Sequence, residues 1–278
     1  MAGSALAVLI LVGILFAANY SLFSRAPAPG QPGAVAVDRA ASEVSTHNGS
    51  KTHLVLPDGT RIWLNAGSRL TYDKNYGATQ REVNLTGEAF FDVAHNADKP
   101  FLIHTARIDI KVLGTSFDVK SYSTDKTTEA TLIRGSIEVS IKDRPSEKII
   151  LKPNEKLVVA NDDSTLHRTR PVRHADDAVD EPLVAIRKPT YEQATGAVIE
   201  TSWVYNKLIF REEGFGDLAR QMERWYGVTI RFTDPAQEDW KFTGTFESET
   251  IQQALNALRM TANFNFTIQD NQVTIYGK

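Results

Sequence analysis

The sequence contains no cysteine, which excludes disulfide staples, thiolate metal sites and cysteine nucleophiles together. That absence suits a periplasm as well as a cytoplasm. Runs of Lys and Arg are missing too. With a net charge of -3 and a sequence pI near 6.1, the chain carries no general basic field, so nucleic acid is not expected as a partner. There is no Gly-x-Ser-x-Gly elbow, no glycine-rich phosphate loop and no dinucleotide fingerprint. The histidines are His47, His53, His95, His104, His167 and His174, and none forms the i, i+4 pair of a zinc site, although His95 and His104 could meet across a hairpin. Glu88 and Asp92 share a strand face among other polar residues, a pattern of solvated surface. No catalytic constellation, metal or cofactor is therefore expected.

What is present is enough chain for more than one core: 278 residues, 42% hydrophobic and 23% charged. Residues 1–24 hold no charge, and Ala5 to Ala18 is apolar throughout. A helix of roughly two dozen residues at ~1.5 Å each reaches about 36 Å, enough for a bilayer core of about 30 Å. A single membrane helix over residues 1–24 is the expectation. The competing reading is a cleaved signal peptide ending near Ala17-Ala18-Asn19, which the lack of a basic leading flank disfavours. Pro27, Pro29, Pro32, Gly30 and Gly33 then mark an extended linker over residues 25–45.

From Thr46 the period becomes that of strands. Leu54, Leu56, Ile62 and Leu64 flank the turn Pro57-Asp58-Gly59-Thr60 as the buried face of a hairpin. Val83, Leu85, Gly87, Ala89, Phe91 and Val93 alternate without a break. Leu85-x-Gly87-x-Ala89-x-Phe91-x-Val93 is echoed by Ile133-x-Gly135-x-Ile137-x-Val139-x-Ile141, which suggests a small repeat or equivalent places in two stacked sheets. Ile149 to Leu151 and Leu157 to Val159 read as a closing hairpin. Residues 46–160 are thus expected to form an all-β domain, a sandwich or short solenoid. Residues 161–200, polar and broken by Pro171, Pro182 and Pro189, read as a connector.

In residues 201–278 a helical period appears. Phe215, Leu218, Ala219, Met222, Trp225 and Tyr226 make one amphipathic helix stopped at Gly227; Ile251, Ala254, Leu255, Leu258 and Ala262 make a second, capped by Ser248 or Thr250. Strands bracket both, so this part reads as a small α+β domain of two βαβ-type units.

One stretch concentrates the remaining chemistry. In Ile108 to Lys120 the apolar positions move from even (Ile108, Ile110, Val112) to odd (Phe117, Val119), and the slip falls at Leu113-Gly114. This is the pattern of a β-bulge, with glycine accepting the backbone angles it demands. Thr115 follows directly, so a strained Gly114-Thr115 peptide next to a hydroxyl is a candidate for an N-to-O acyl shift and self-cleavage.

The motifs LPDGTRIWLNAGSRLTY (residues 56–72), REVNLTGEAFFDVA (81–94), KPFLIHT (99–105) and IKVLGTSFDV (110–119), in that order, resemble the FecR family of transmembrane anti-sigma regulators. The segment from Trp203 to Tyr276 resembles the accompanying C-terminal domain, itself similar to the secretin and TonB short N-terminal domain. The resemblance implies an inner-membrane protein with residues after about 24 in the periplasm. It would receive a signal from the signalling domain of a TonB-dependent outer-membrane receptor and control an extracytoplasmic-function sigma factor. The sigma-binding helical region of the family would precede the apolar run, where this sequence has only residues 1–4. The resemblance also places Gly114-Thr115 at a bond that some members cleave in themselves. The alternative is a periplasmic carbohydrate- or envelope-binding scaffold, whose aromatic platform would draw on Trp63, Tyr72 and Tyr76.

Overall fold

Alternation sets the strands of this chain, and corners between two layers set their ends. The computed structural model describes residues 42–78, 80–161, 184–192 and 195–277. The membrane helix expected over residues 1–24 lies outside them, and among the described residues no helix is long and apolar enough to cross a membrane.

The first lobe is one continuous path of strands curled into two layers. The first layer runs β1 (Ser42–Ser45), β4 (Arg69–Tyr72), the leading half of β5 (Arg81–Asp92), β6 (Phe101–His104), β7 (Ile108–Val112), β10 (Ile137–Ile141) and β11 (Arg144–Leu151). The second runs β2 (Thr52–Val55), β3 (Arg61–Leu64), the trailing half of β5, β8 (Ser116–Ser121), β9 (Thr127–Arg134), β12 (Glu155–Ala160) and β13 (Val184–Arg187). All pairings are antiparallel except β5 with β6. The inward residues of both layers, among them Ile62, Leu70, Val83, Phe91, Ile103, Phe117, Leu132 and Leu157, form one core.

β5 belongs to both layers because it bends at Gly87. Up to Thr86 it pairs with β4; from Gly87 it pairs with β8. Gly87 has φ +99°, and a Cβ there would stand 2.7 Å from the Cα of Ser68, so both conformation and space require glycine. Gly135, also at φ +99°, is the matching corner. The echoed pattern in the sequence therefore marks equivalent crossings between two stacked layers.

The same principle corrects three expectations. The slip at Leu113-Gly114 is not a bulge within one strand: β7 ends at Val112 in the first layer and β8 begins at Ser116 in the second. Residues 131–141 are two strands joined through Gly135 and Ser136. Residues 149–159 do not close as a hairpin, because β11 pairs with β10 and β12 with β9 and β13. In each case a period of two reports which side chains are buried but not which layer buries them. A fourth difference lies in the stretch read as connector, where Val184–Arg187 adds β13 to the edge of the second layer.

A buried cation pins the end of this lobe. Arg81, 1% exposed, donates to Asp58 Oδ2 at 3.0 Å, Ala94 O at 2.7 Å and Lys99 O at 2.7 Å. Burial pushes the Asp58 carboxyl up, but bonds from the Thr60 amide, Arg81, the Thr60 hydroxyl and Tyr76 outweigh it and hold the group below its ordinary range.

The second lobe follows a 3₁₀ turn at Ile199–Tyr205. Its elements are β14 (Leu208–Gly214), α1 (Phe215–Tyr226), β15 (Thr229–Phe232), β16 (Lys241–Phe246), α2 (Ile251–Thr261), β17 (Phe264–Gln269) and β18 (Gln272–Gly277). The two β-α units interleave: β14 pairs with β16, while β15 lies parallel to β18, which pairs with β17. The Phe215 ring sits at the centre, 4.9, 4.8 and 5.4 Å from those of Phe232, Phe242 and Phe264. Gly227 stops α1 at φ +69°, and Thr250 with Gln253 closes a capping box on α2.

Candidate functional site

Both lobes belong to the compact unit Ala40–Lys278, and the chemistry of the molecule gathers where they meet. With Ala89, Phe117, Val119, Ala130, Leu132 and Leu157 turned into the core, alternation turns Glu88, Asp118, Lys120, Glu129, Thr131 and Lys156 to the outer face of the second layer. Registry brings them together: Glu88 stands opposite Lys120, and Lys120 opposite Glu129. An outer face so rich in charge is ordinarily wet. Here the 3₁₀ turn, β14 and the end of α1 cover it, enclosing a cavity of about 210 Å³ lined by Glu88, Asp118, Lys120, Lys156, Trp203 and Arg224 among others.

The contacts across this seam are polar. Trp203 Nε1 donates to Asp118 Oδ1 at 3.1 Å. Arg224 grips both oxygens of Asp125, at 2.9 and 3.1 Å, and lies 4.0 Å above the Tyr122 ring. Lys156 pairs with Glu200 at 2.8 Å and with Glu129 at 3.5 Å. From the turn after β1, Lys51 Nζ rests 3.5 Å from the centre of the Trp225 ring and donates to Trp203 O and Asn206 Oδ1. The Gly49 amide donates to Arg224 O at 2.7 Å.

Burial tunes these groups. Asp118 is 3% exposed; desolvation pushes its carboxyl well above the ordinary range, Glu88 and Glu200 push the same way, and the Trp203 bond and Lys120 oppose. Desolvation likewise raises Glu88, against the pull of Lys120 and the bond from Asn65. Glu129 goes the other way, since Lys120 and Lys156 outweigh its burial. Desolvation lowers the Lys51 amine to about 8. The expectation that Glu88 sits on a solvated surface is thus overturned: the second lobe covers it.

Gly114 and Thr115 lie at a separate corner. Gly114 has no positive φ; glycine is required there because a Cβ would stand 2.6 Å from His95 Nδ1 and 2.7 Å from His95 Cα. Thr115 is 1% exposed, and its hydroxyl donates to Ser136 O at 3.0 Å. Its carbonyl accepts from the Val93 amide at 3.0 Å. His104 does not meet His95; it lies between Glu82 and Asp109, at 2.8 and 2.7 Å. Among the described residues no group of ligands could hold a metal ion. Of the aromatic residues proposed for a carbohydrate platform, Tyr72 and Tyr76 meet edge to face at 5.8 Å, but Tyr76 is buried and donates to Asp58 and Tyr72 packs against the core, while Trp63 packs instead between His53 and Phe90.

Sequence reasoning misses the roles of Asp118, Trp203, Arg224 and Lys51. One signal was available for the first: Asp118 and Lys120 alternate with buried Phe117 and Val119 in a strand bounded by other charged strands.

Two family models match the chain, that of the FecR protein over residues 42–138 and that of the FecR C-terminal region over residues 207–275. The fold and the matched segments define a signalling regulator of the anti-sigma type, and the chain belongs to the FecR family. Two crystal structures of a candidate anti-sigma factor from Parabacteroides distasonis are similar to it. One has a TM-score of 0.69 at 26% identity, covering 85% of this chain and 99% of that one. The other has a TM-score of 0.68 at 27% identity, covering 86% and 99%. No curated protein matches. Family membership implies a sigma factor as a partner class. The likeness of the second lobe to the secretin and TonB short N-terminal domain gains no support, since the matching model is the family's own C-terminal one.

Proposed function

We propose that this chain is the sensor part of a transmembrane anti-sigma regulator, anchored in the inner membrane by residues 1–24 with both lobes in the periplasm. It relays a signal from the signalling domain of a TonB-dependent outer-membrane receptor to an extracytoplasmic-function sigma factor. The observation that carries this reading is the seam. Two lobes joined by ion pairs and single hydrogen bonds, such as Trp203 to Asp118 and Arg224 to Asp125, can be parted at lower cost than a continuous apolar core. A receptor domain docking on the second lobe then has a joint to work on. The test is retention of receptor signalling domains by the purified chain. Retention that disappears when residues 201–278 are deleted supports the relay; no retained domain removes it.

Cleavage between Gly114 and Thr115 belongs to the same reading. The Thr115 hydroxyl oxygen attacks the Gly114 carbonyl carbon, the C–N bond breaks, the freed amine takes the proton, and water then hydrolyses the ester. What supports it is the hydroxyl beside its own scissile bond at a corner walled by His95 and Gly135. On a denaturing gel the two fragments should vanish in Thr115→Ala and persist in Thr115→Ser; fragments that persist in Thr115→Ala refute it.

A further inference from the structure

Three acids of the seam have no cation of their own, because the bases that line it are committed elsewhere or exposed: Lys207 pairs with Glu247 at 2.9 Å and Arg211 is exposed. Lys120 is paired with Asp125 at 3.3 Å, Lys156 with Glu129 and Glu200, and Arg224 with Asp125. Among the described residues no ion pair reaches Asp118, Glu88 or Glu213. Glu88 has the Asn65 amide at 2.6 Å, and Asp118 has the Trp203 indole. Both donors are neutral. The groups facing Asp118 come from every element packed on it: Glu88 from β5, Lys120 from its own strand, and Glu200 beside Trp203 in the 3₁₀ turn. Around them stand Glu129 and Thr131 from β9, Lys156 from β12, Lys207 before β14, Arg211 and Glu213 from β14 and Arg224 from α1, while Lys51 faces Glu88 from the turn after β1.

We propose that the seam is a proton-linked latch: closing Trp203 and the second lobe over Asp118 keeps a proton on the Asp118–Glu88 acid pair, so acid tightens lobe docking and rising pH loosens it. Three features carry this. Asp118 stands on the outer face of the second layer, under the 3₁₀ turn, β14 and the end of α1, so parting these from the sheet returns it to water, where it ionises. Its one cross-lobe partner is an indole N–H, which does not supply the positive charge an ionised buried carboxylate needs. Lys120, the ammonium on its own strand, is shared among Asp125, Glu129 and Glu88.

The sign follows from linkage. A carboxyl whose acidity is weakened in the docked state favours docking below its ordinary titration range, and that advantage is lost as pH rises through the docked-state range. Glu213, raised mainly by desolvation, adds in the same sense. Glu129, lowered, and Lys156, raised by Glu129 and Glu200 against its burial, stay charged between pH 5 and 7.5 on the ~4 and ~10 reference scale and contribute no slope there. The Lys51 amine, at about 8, acts in the opposite sense at higher pH, since its loss of charge favours docking. The informative window is therefore roughly pH 5 to 7.5, below its titration.

Two protons report docking directly, the Gly49 amide bound to Arg224 O and the Trp203 indole N–H bound to Asp118. Their hydrogen-exchange protection, corrected for intrinsic rates, is measured by NMR on the purified whole chain across that window. Protection should fall as pH rises, by at most about tenfold per pH unit for one released proton. In Asp118→Asn, which keeps the indole's acceptor without an ionisable group, the slope should fall to what Glu88 and Glu213 still contribute. In Glu88→Gln, which removes the adjacent negative charge, the slope should shrink, so the latch is testable even if Asp118→Asn does not fold. Flat protection in the unsubstituted chain overturns the latch, as does a slope left unchanged by the variants. Neither outcome bears on receptor binding, which is read separately.

Discussion

Replacing Arg81 with leucine should cost the first lobe more than any other single exchange of a charged residue. The guanidinium is almost wholly buried and holds three strands' ends together: the Asp58 turn between β2 and β3, the Ala94 carbonyl beyond β5, and the Lys99 carbonyl before β6. Leucine leaves the Asp58 carboxylate, 16% exposed at its side chain, without its cation and removes the guanidinium bonds to the carbonyls of Ala94, Asn96 and Lys99. Breaking a buried pair by removing one partner costs about 3–5 kcal/mol; the water that reaches Asp58 and its remaining Thr60 and Tyr76 donors place this case near the lower figure. At roughly 2–4 °C per kcal/mol for a chain of this size, the melting temperature should drop by about 10 °C, read by circular dichroism with a urea titration alongside. Arg81→Leu combined with Asp58→Asn should recover part of the loss, because the stranded charge is gone. A loss under about 1 kcal/mol, or strictly additive effects in the double variant, would falsify the buried-pair argument. The pair also carries acid sensitivity. Asp58 is held below its ordinary range, so its contribution is present above about pH 4 and fades as pH falls through the folded-state value.

Other exchanges test other joints. Gly135→Val places a β-branched side chain at φ +99° against Thr115 Oγ1, 2.8 Å from the new Cβ, and should destabilise the first lobe by at least about 2 kcal/mol in the same urea assay. Thr250→Ala removes the capping box of α2 and should cost about 1 kcal/mol. Arg224→Ala leaves Asp125 with Lys120 alone and should expose the 3₁₀ turn to limited proteolysis while the circular dichroism spectrum stays close to that of the parent. Unchanged proteolysis would show that this pair does not hold the lobes together.

Much of the fold was legible because burial on one face imposes a period. The unbroken alternation from Val83 to Val93 gave the strand that spans both layers, and the helical period from Phe215 to Tyr226 with Gly227 behind it gave α1 nearly to the residue. Gly87 and Gly135 stood out as equivalent places in two stacked sheets, though not as corners, and the order of four motifs pointed to the family. Layer assignment was not legible. Leu113-Gly114 looked like a bulge and residues 149–159 like a hairpin, because an inward residue has the same local pattern whichever sheet carries it.

By itself, then, the sequence determined which residues turn inward, since that follows from local conformational preference and from the removal of apolar side chains from water, and its ordered motifs pointed to the family. The tertiary structure alone decided what lies over the outward faces. Glu88, Asp118 and Lys120 have the sequence pattern of wet surface, and the docking of Trp203 and Arg224, more than eighty residues on from Asp118 and Asp125, buries Asp118 and half-buries the other two. The cost of a charge depends on the dielectric around it, and that is set by whichever distant segment displaces the water.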